Sequence, residues 1–148
     1  MKMRVYLDNC VFNRPFDDQS QIRIKLEAEA KFYIQALIKR QQVALVWSYI
    51  LELENGSNPF VERRRAIEQW QALAEMDITE TETVLQVAHA IQALGVNSKD
   101  ALHIGCAIEA QADYFITTDE LIIRKLRDFP AIRIVNPLEF IDRLEGLL

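Results

Sequence analysis

Four short apolar segments, each three to five residues long, constrain the fold of this chain more than any other feature. Residues 4–7, 43–47, 114–117 and 133–135 are rich in β-branched, aromatic and other apolar side chains and are followed by polar residues. Such runs, without regular polar alternation, are typical of strands buried on both faces of a parallel sheet. The segments between them carry apolar residues at helical spacing. We therefore predict a three-layer α/β/α sandwich with a central, mostly parallel sheet.

The predicted helices have recognisable start signals. Ser48, Thr79 and Ser98 are expected N-cap residues, and Thr79 with Glu82 has the spacing of a capping box. The chain shows no repeat, low-complexity tract or linker, so we predict a single domain over residues 1–148. The predicted helices are residues 19–40, 48–54, 60–74, 79–95, 98–111 and a last helix that starts at 136–139.

The charge balance argues at first against a nucleic-acid-binding protein. The chain has 17 Lys and Arg against 22 Asp and Glu, for a net charge of −5, whereas nucleic-acid binders usually have a basic excess. Half of the residues are hydrophobic, which excludes a disordered or fibrous chain. Cys10 and Cys106 are too few for a disulfide framework and are expected to be reduced. With no signal peptide and no apolar stretch of about 20 residues, we expect a cytoplasmic protein without membrane contact.

Acidic residues lie at or near the ends of the predicted strands. Asp8 follows the first strand, Glu52 and Glu54 come soon after the second, and Asp119 follows the third. Asp100 lies in the first turn of the helix that precedes the third strand. Ligands of open parallel sheets bind at these carboxyl ends. Clustered carboxylates repel one another unless a cation lies between them, and Mg²⁺ or Mn²⁺ prefers oxygen ligands. The pattern therefore predicts a metal site able to promote phosphodiester hydrolysis.

The segments that carry these acids resemble the motifs of the PIN domain. They are RVYLDNCVF, SYILELENG and SKDALHIGCAIEAQADYFITTDE. The resemblance covers nearly the whole chain and is most specific over residues 99–119. It implies a PIN-like, Rossmann-like fold and a Mg²⁺- or Mn²⁺-dependent endoribonuclease that hydrolyses single-stranded RNA. It also implies a homodimer and an antitoxin protein as partner, because many prokaryotic PIN domains are the toxins of VapBC-type toxin–antitoxin pairs.

The resemblance also assigns roles to individual residues. The middle acid is ambiguous: a spacing of six from Ser48 favours Glu54, with Glu52 as the alternative. The two lie about 200° apart on a helix of 3.6 residues per turn, so only one of them can face a given metal. The implied catalytic and metal-binding residues are Asp8, Glu54, Asp100 and Asp119.

Three further residues are expected on the substrate side of the site. Asn9 stands where the family commonly has Ser or Thr, and Thr117 matches a hydroxyl position of the family. Arg14 comes six residues after Asp8 and is predicted at the mouth of the site. His103 shares a helical face with Asp100, and we interpret it as a packed, hydrogen-bonded histidine rather than a substrate contact.

Other features leave alternatives open. The basic run Arg63, Arg64 and Arg65 is either a solvated helix face or a phosphate-binding patch. Four aromatic residues are expected to pack in the core rather than to stack on bases, namely Tyr33, Trp47, Tyr49 and Trp70.

Two other classes of function compete with the nuclease. One is a non-catalytic PIN-like module that binds RNA or protein. The other is a phosphoryl-acceptor domain, although the phosphatase type expects a second Asp where Cys10 stands. Assigning four of the 22 acids to a metal site leaves 18 acids against 17 bases, so the acidic balance does not exclude a nuclease.

Overall fold

The apolar runs form a five-stranded, all-parallel sheet in the computed structural model, which describes residues 2–146. The predicted α/β/α architecture is confirmed. The predicted domain of residues 1–148 includes Met1, Leu147 and Leu148, which lie outside the described residues. In the spatial order β3-β2-β1-β4-β5, the strands are β1 (Met3–Leu7), β2 (Val43–Ser48), β3 (Met76–Ile78), β4 (Tyr114–Ile116) and β5 (Arg133–Val135).

Helices cover both faces of the sheet. They pack as two layers, with α2 and α8 in contact on one side and α5 and α6 on the other. Within residues 2–146, no helix is long and apolar enough to cross a membrane. The helices are α1 (Asn9–Asn13), α2 (Ile22–Lys39), α3 (Tyr49–Gly56), α4 (Val61–Glu68), α5 (Glu82–Gln92), α6 (Ser98–Glu109), α7 (Glu120–Lys125) and α8 (Pro137–Gly146).

Successive strand residues point to opposite faces, and this alternation fills two cores. Tyr6 in β1 faces α6, where its ring lies 5.3 Å from that of Phe115 and 5.8 Å from that of His103. On the other face Tyr114 meets Phe140 of α8, with ring centroids 5.3 Å apart. The polar Tyr6 and His103 are both fully buried, so polar groups enter the core on the α6 side.

Some predicted boundaries are wrong. The third strand in sequence, β3, was not expected, because Met76, Asp77 and Ile78 form a short, partly exposed edge strand without an apolar run. The short α1 and α7 were also not expected. The helix predicted over residues 60–74 is divided into α4 and a 3₁₀ helix, Gln69–Leu73. Thr81 and Asn97 are the N-caps of α5 and α6, where Thr79 and Ser98 were expected. Each of these caps accepts a hydrogen bond from a backbone N–H three residues later.

Of the four aromatic residues predicted to pack in the core, three do so and one does not. Trp47 is buried, and Tyr49 and Trp70 are partly buried against the core. Tyr33 is 46% exposed, so that expectation is wrong for this residue.

The orientation of α2 explains the exposed Tyr33. Ile22 and Leu26 on the same helix are also exposed, by 76% and 43%, whereas the charged Glu27 and Lys31 are buried. The helix therefore turns an apolar stripe, defined here as Ile22, Leu26 and Tyr33, toward solvent. An exposed apolar stripe on a helix is a feature of protein contact surfaces.

Candidate active site

Asp8 lies at the carboxyl end of β1, in the middle of the sheet. It is the N-cap of α1, and its Oδ1 accepts a hydrogen bond of 2.8 Å from the Asn9 N–H. Only 5% of the residue is exposed. Burial raises the pKa of the Asp8 carboxyl above its ordinary value, although a hydrogen bond from Thr117 favours the charged form.

Thr117, which directly follows β4, connects two of the predicted acids. Its hydroxyl donates to Asp8 Oδ2 at 2.8 Å and accepts from the Asp119 N–H at 3.1 Å. The Cys10 thiol lies 3.5 Å from the same Asp8 oxygen. Because Thr117 is fully buried, its position fixes the Asp8 carboxylate relative to the start of α7.

Glu54, in the last turns of α3, reaches Asp8 from the helix that follows the neighbouring strand β2. Oxygens of Glu54 and Asp8 and a nitrogen of His103 all lie within 4.8 Å of one another. His103 Nε2 is 2.8 Å from Glu54 Oε1. Burial acts to raise the pKa of Glu54, but the hydrogen bond to His103 and the charge of Lys99 outweigh it, and the pKa is lowered.

The structure separates the two candidates for the middle acid. Glu54 faces Asp8, while Glu52 is exposed and lines a different cleft, together with Trp47 and Arg64. This is the geometry expected for two residues about 200° apart on one helix.

Asp100 and Asp119 both line a cleft of about 190 Å³. Asp119 is the N-cap of α7, and its Oδ1 accepts from the Leu121 N–H at 3.0 Å. Asp100 Oδ2 accepts from Asn97 Nδ2 at 2.7 Å. Burial raises the pKa of Asp100, and repulsion from Asp8 and Asp119 adds to this increase. Asp8 and Glu54 therefore lie in one cluster, Asp100 and Asp119 line a common cleft, and the charge of Asp8 acts on Asp100.

Asn9 supplies an independent sign of a ligand site. Its side-chain amide acts on Glu54 and helps to lower the pKa of that carboxyl. Its Oδ1 is buried and has no hydrogen-bond partner among residues 2–146. A buried acceptor without a partner is costly, and a cation or an ordered water would satisfy it. The oxygen-rich donor set of Asp8, Glu54 and Asn9 fits a hard divalent cation such as Mg²⁺ or Mn²⁺.

Arg14, which directly follows α1, binds acids other than the four predicted ones. Its Nε is 2.9 Å from Glu27 Oε1, and its Nη1 is 3.1 Å from Asp17 Oδ2. The side chain is 21% exposed. The Arg14 guanidinium therefore neutralises the fully buried Glu27 carboxylate, and a substrate would meet only its solvent-facing part.

The three arginines of the basic run on α4 have different surroundings. The Arg63 guanidinium lies 4.0 Å from the centre of the Phe60 ring and 5.3 Å from that of Phe16. Arg64 donates to the Asn58 carbonyl at 3.2 Å, and Arg65 is exposed. Of the three arginines, Arg63 is thus held among exposed aromatic rings at the α4 surface that contacts α1.

Sequence reasoning missed the residues that connect Glu54 to the core. Tyr6 Oη lies 2.6 Å from both Ser48 Oγ and His103 Nδ1. The available signal was the strand pattern, because Tyr6 and Ser48 bring polar groups to one face of two apolar strands. The interpretation of His103 as a buried, hydrogen-bonded residue agrees with its geometry.

The strand order, the parallel sheet and the acids at its carboxyl edge define the PIN-like class of α/β/α fold. Solved structures of VapBC proteins share this fold. A chain of VapBC2 from Rickettsia felis, solved with a DNA fragment from their promoter, has a TM-score of 0.56 and 14% identity, covering 90% of this chain and 98% of that chain. A chain of VapBC-1 from nontypeable Haemophilus influenzae has a TM-score of 0.56 and 18% identity, covering 92% and 99%.

A third example is a chain of DNA-bound VapBC from Salmonella typhimurium, with a TM-score of 0.56 and 17% identity over 91% of this chain and 98% of that chain. No protein-family model and no curated protein matches the sequence. At these identities the structural likeness shows a common fold.

Proposed function

We propose that the protein is a metal-dependent endoribonuclease that hydrolyses phosphodiester bonds of single-stranded RNA. The observation that carries the proposal is the convergence of Asp8 and Glu54, with Asp100 and Asp119 in the adjoining cleft, at the carboxyl edge of the sheet. The buried, unpartnered Asn9 Oδ1 supports a cation or water at the same place.

The proposed mechanism assigns a task to each side chain. Asp8 and Glu54 would hold Mg²⁺ or Mn²⁺, and Asp100 and Asp119 would complete the oxygen donors on the other side. The bound metal supplies Lewis acidity, which lowers the pKa of water and stabilises charge on the phosphodiester.

The other residues prepare the site. Thr117 holds the Asp8 carboxylate through its hydroxyl, while the unpartnered Asn9 Oδ1 would accept a hydrogen bond from water or from a ribose hydroxyl. Arg14 is a weaker substrate contact, because Glu27 and Asp17 already bind it.

The direct test is a Mg²⁺ titration of cleavage of a single-stranded RNA by the wild type and Asp100→Asn. We expect activity that needs the metal in the wild type and falls by a factor of about 10² or more in the variant, as for loss of a charge-stabilising group. Activity that does not change with metal in either protein would contradict the proposal. Metal-dependent RNA binding without cleavage would instead favour a non-catalytic PIN-like module.

A protein partner is the second part of the proposal. Several chains with this fold were solved as VapBC complexes, and one neighbour is described as a toxin–antitoxin complex from Klebsiella pneumoniae. We propose that this chain is the toxin of such a pair and forms a homodimer. The exposed apolar stripe of α2 supports a contact surface for another protein.

We also propose that the protein works in the cytoplasm. Cys10 and Cys106 are both free thiols, as expected in a reducing compartment. Burial raises the pKa of Cys106 to about 12, so this thiol is protonated and suited to packing rather than to redox chemistry.

A further inference from the structure

A chain of buried polar side chains runs from the core to Glu54. Ser48 Oγ and Tyr6 Oη are 2.6 Å apart, Tyr6 Oη and His103 Nδ1 are 2.6 Å apart, and His103 Nε2 lies 2.8 Å from Glu54 Oε1. Ser48, Tyr6 and His103 are all fully buried. Polar residues in a core are costly unless each group is hydrogen-bonded, so a chain of three has to be arranged as a unit.

The direction of each hydrogen bond follows from the partners at the two ends. At one end Ser48 Oγ accepts from the Leu51 N–H at 3.2 Å, and we assign its own hydroxyl hydrogen to Tyr6 Oη, because the Tyr6 hydrogen is needed by His103 Nδ1 once Nε2 donates to Glu54. A phenol has an ordinary pKa of about 10, so the Tyr6 hydroxyl carries its own hydrogen at neutral pH. That hydrogen points to His103 Nδ1, which therefore accepts.

The other end of the chain is the Glu54 carboxylate, which only accepts. With Nδ1 occupied by the Tyr6 hydroxyl, the His103 proton lies on Nε2 and is donated to Glu54 Oε1. Every donor from the Leu51 N–H to His103 Nε2 then has one acceptor. A hydrogen bond from a neighbouring side chain to a carboxylate ligand is a usual way in which a protein orients that carboxylate toward a metal.

We propose that Tyr6, Ser48 and His103 are positioning residues that hold the Glu54 carboxylate in the orientation needed for cation binding. The proposal rests on the proposed function for the role of Glu54. It also assigns His103 as a hydrogen-bond donor and not as a metal ligand, although its nitrogen lies within 4.8 Å of the Asp8 and Glu54 oxygens. Nε2 cannot donate a proton to Glu54 and offer a lone pair to a cation at once.

The hydrogen-bond assignment is tested on the metal-free wild type by ¹⁵N NMR of the imidazole groups. We expect the His103 signals to show a protonated Nε2 and an unprotonated Nδ1, and the Nε2 signal to shift in Glu54→Gln. The other ring tautomer, or no response to Glu54→Gln, would overturn the proposal even if the metal site is real.

Mn²⁺ affinity, measured by calorimetry, tests the effect on the cation site. His103→Gln keeps an N–H donor near the position of Nε2, while His103→Leu removes it. We expect about 10- to 100-fold weaker Mn²⁺ binding for His103→Leu, as for loss of other outer partners of metal ligands, and affinity close to the wild type for His103→Gln. Equal losses in both variants would instead indicate that His103 is a metal ligand.

Tyr6→Phe provides a milder variant, because it keeps the ring packed on Phe115 and removes only the hydroxyl. We expect weaker Mn²⁺ binding and loss of the fixed His103 tautomer at an unchanged fold; retention of both would contradict the proposal. If the wild type binds no Mn²⁺, the proposed metal site fails, while the NMR result still decides the role of His103.

Discussion

The buried Asp8 carboxylate is a source of instability in the metal-free protein. The residue is 5% exposed, and the repulsion from Glu54 adds to the effect of burial in raising its pKa. Sites that collect like charges for function are commonly less stable than their neutral variants. We expect Asp8→Asn to be more stable than the wild type in the presence of a chelator, by thermal unfolding at pH 7.

The same residue predicts a pH dependence. Because the folded-state pKa of Asp8 is raised above its ordinary value of 3.8, the folded protein binds this proton more tightly than the unfolded chain. The stabilising contribution is fully present below the unfolded pKa and is lost as pH rises through the folded-state pKa. Urea unfolding with a chelator, from pH 4 upward, should show the stability of Asp8→Asn increasing relative to the wild type. A constant difference would contradict the buried charge.

Mg²⁺ should reduce this stability advantage of Asp8→Asn over the wild type. A ligand at 100 times its Kd stabilises a protein by about 2.7 kcal/mol, and a site tenfold weaker gains about 1.4 kcal/mol at the same concentration. We therefore expect Asp8→Asn to show about half of the wild-type shift, or less. An equal shift in both proteins would place the bound cation elsewhere.

The sequence predicts those residues of the candidate site that follow a recognisable strand, and it predicts the rest less completely. Asp8 follows an apolar run directly and Asp119 follows one after Thr118, so their position at one edge needed only the topology of a parallel sheet. Glu54 required helix geometry in addition. The partners of Arg14 could not be predicted, because Glu27 is a charged residue that is buried on α2, whereas the apolar Ile22 and Leu26 of the same helix are exposed.

The hydrogen bonds of Asp8 also bear on the alternative that the protein is a phosphoryl-acceptor domain. Both Asp8 oxygens already accept hydrogen bonds, Oδ1 from the Asn9 N–H and Oδ2 from Thr117. An acceptor carboxylate needs an accessible oxygen for in-line attack. Stable acyl-phosphate labelling of Asp8 would nevertheless contradict the nuclease proposal.

Among the helices, the close contact of α5 with α6 depends on Gly105. A Cβ added at Gly105 would lie 3.1 Å from the Val84 carbonyl oxygen and 3.6 Å from the Ala88 Cβ. Overpacking of this kind costs about 1–3 kcal/mol. We expect Gly105→Val to lower the free energy of unfolding by that amount, measured in urea.

Gly56 provides the matched control for this prediction. A Cβ at Gly56, at the end of α3, would meet no atom within 4 Å, so the same substitution there, Gly56→Val, should leave stability nearly unchanged or slightly higher. Equal destabilisation by the two substitutions would indicate a backbone effect and not the contact between helices.

At the scale of elements, apolar runs predict most of the fold, whereas only one of the three expected N-caps, Ser48, is observed. The central strands are continuous apolar runs and were predicted within one or two residues. The edge strand β3 was not, because an edge strand needs neither a long run nor full burial, and Asp77 interrupts it. The position of β3 is determined by its pairing with β2, from Val46 with Met76 to Ser48 with Ile78. Such pairing joins residues about 30 positions apart, so a short stretch of sequence does not reveal it.

For the whole molecule, the net charge of −5 predicts RNA binding that depends little on salt. For single strands the slope of log K against log salt is about −0.7 per neutralised phosphate. We expect a slope shallower than about −3, measured with the wild type in Mg²⁺ and a single-stranded RNA whose backbone resists hydrolysis. A steep slope would show that a basic surface, and not the metal site, dominates binding.

The aromatic setting of Arg63 makes it the basic residue most suited to such contact. Arg63→Ala should reduce the slope by about 0.7 if its guanidinium meets one phosphate. Arg143→Ala is the control, because Arg143 lies on α8 and pairs with Glu139 at 3.0 Å. Equal effects of the two substitutions would favour the interpretation of the α4 arginines as a solvated face.

The central claim is that the Asp8 and Glu54 side of the acidic edge performs metal-dependent cleavage of RNA. The measurement that tests it most directly is the rate of cleavage of a single-stranded RNA in Mg²⁺ by the wild type, Glu54→Gln and Glu52→Gln. The two substitutions are chemically identical and lie on the same helix, but only Glu54 faces Asp8. We predict a loss of about 10² or more in Glu54→Gln and wild-type activity in Glu52→Gln. Full activity in Glu54→Gln, or equal losses in both variants, would contradict the account.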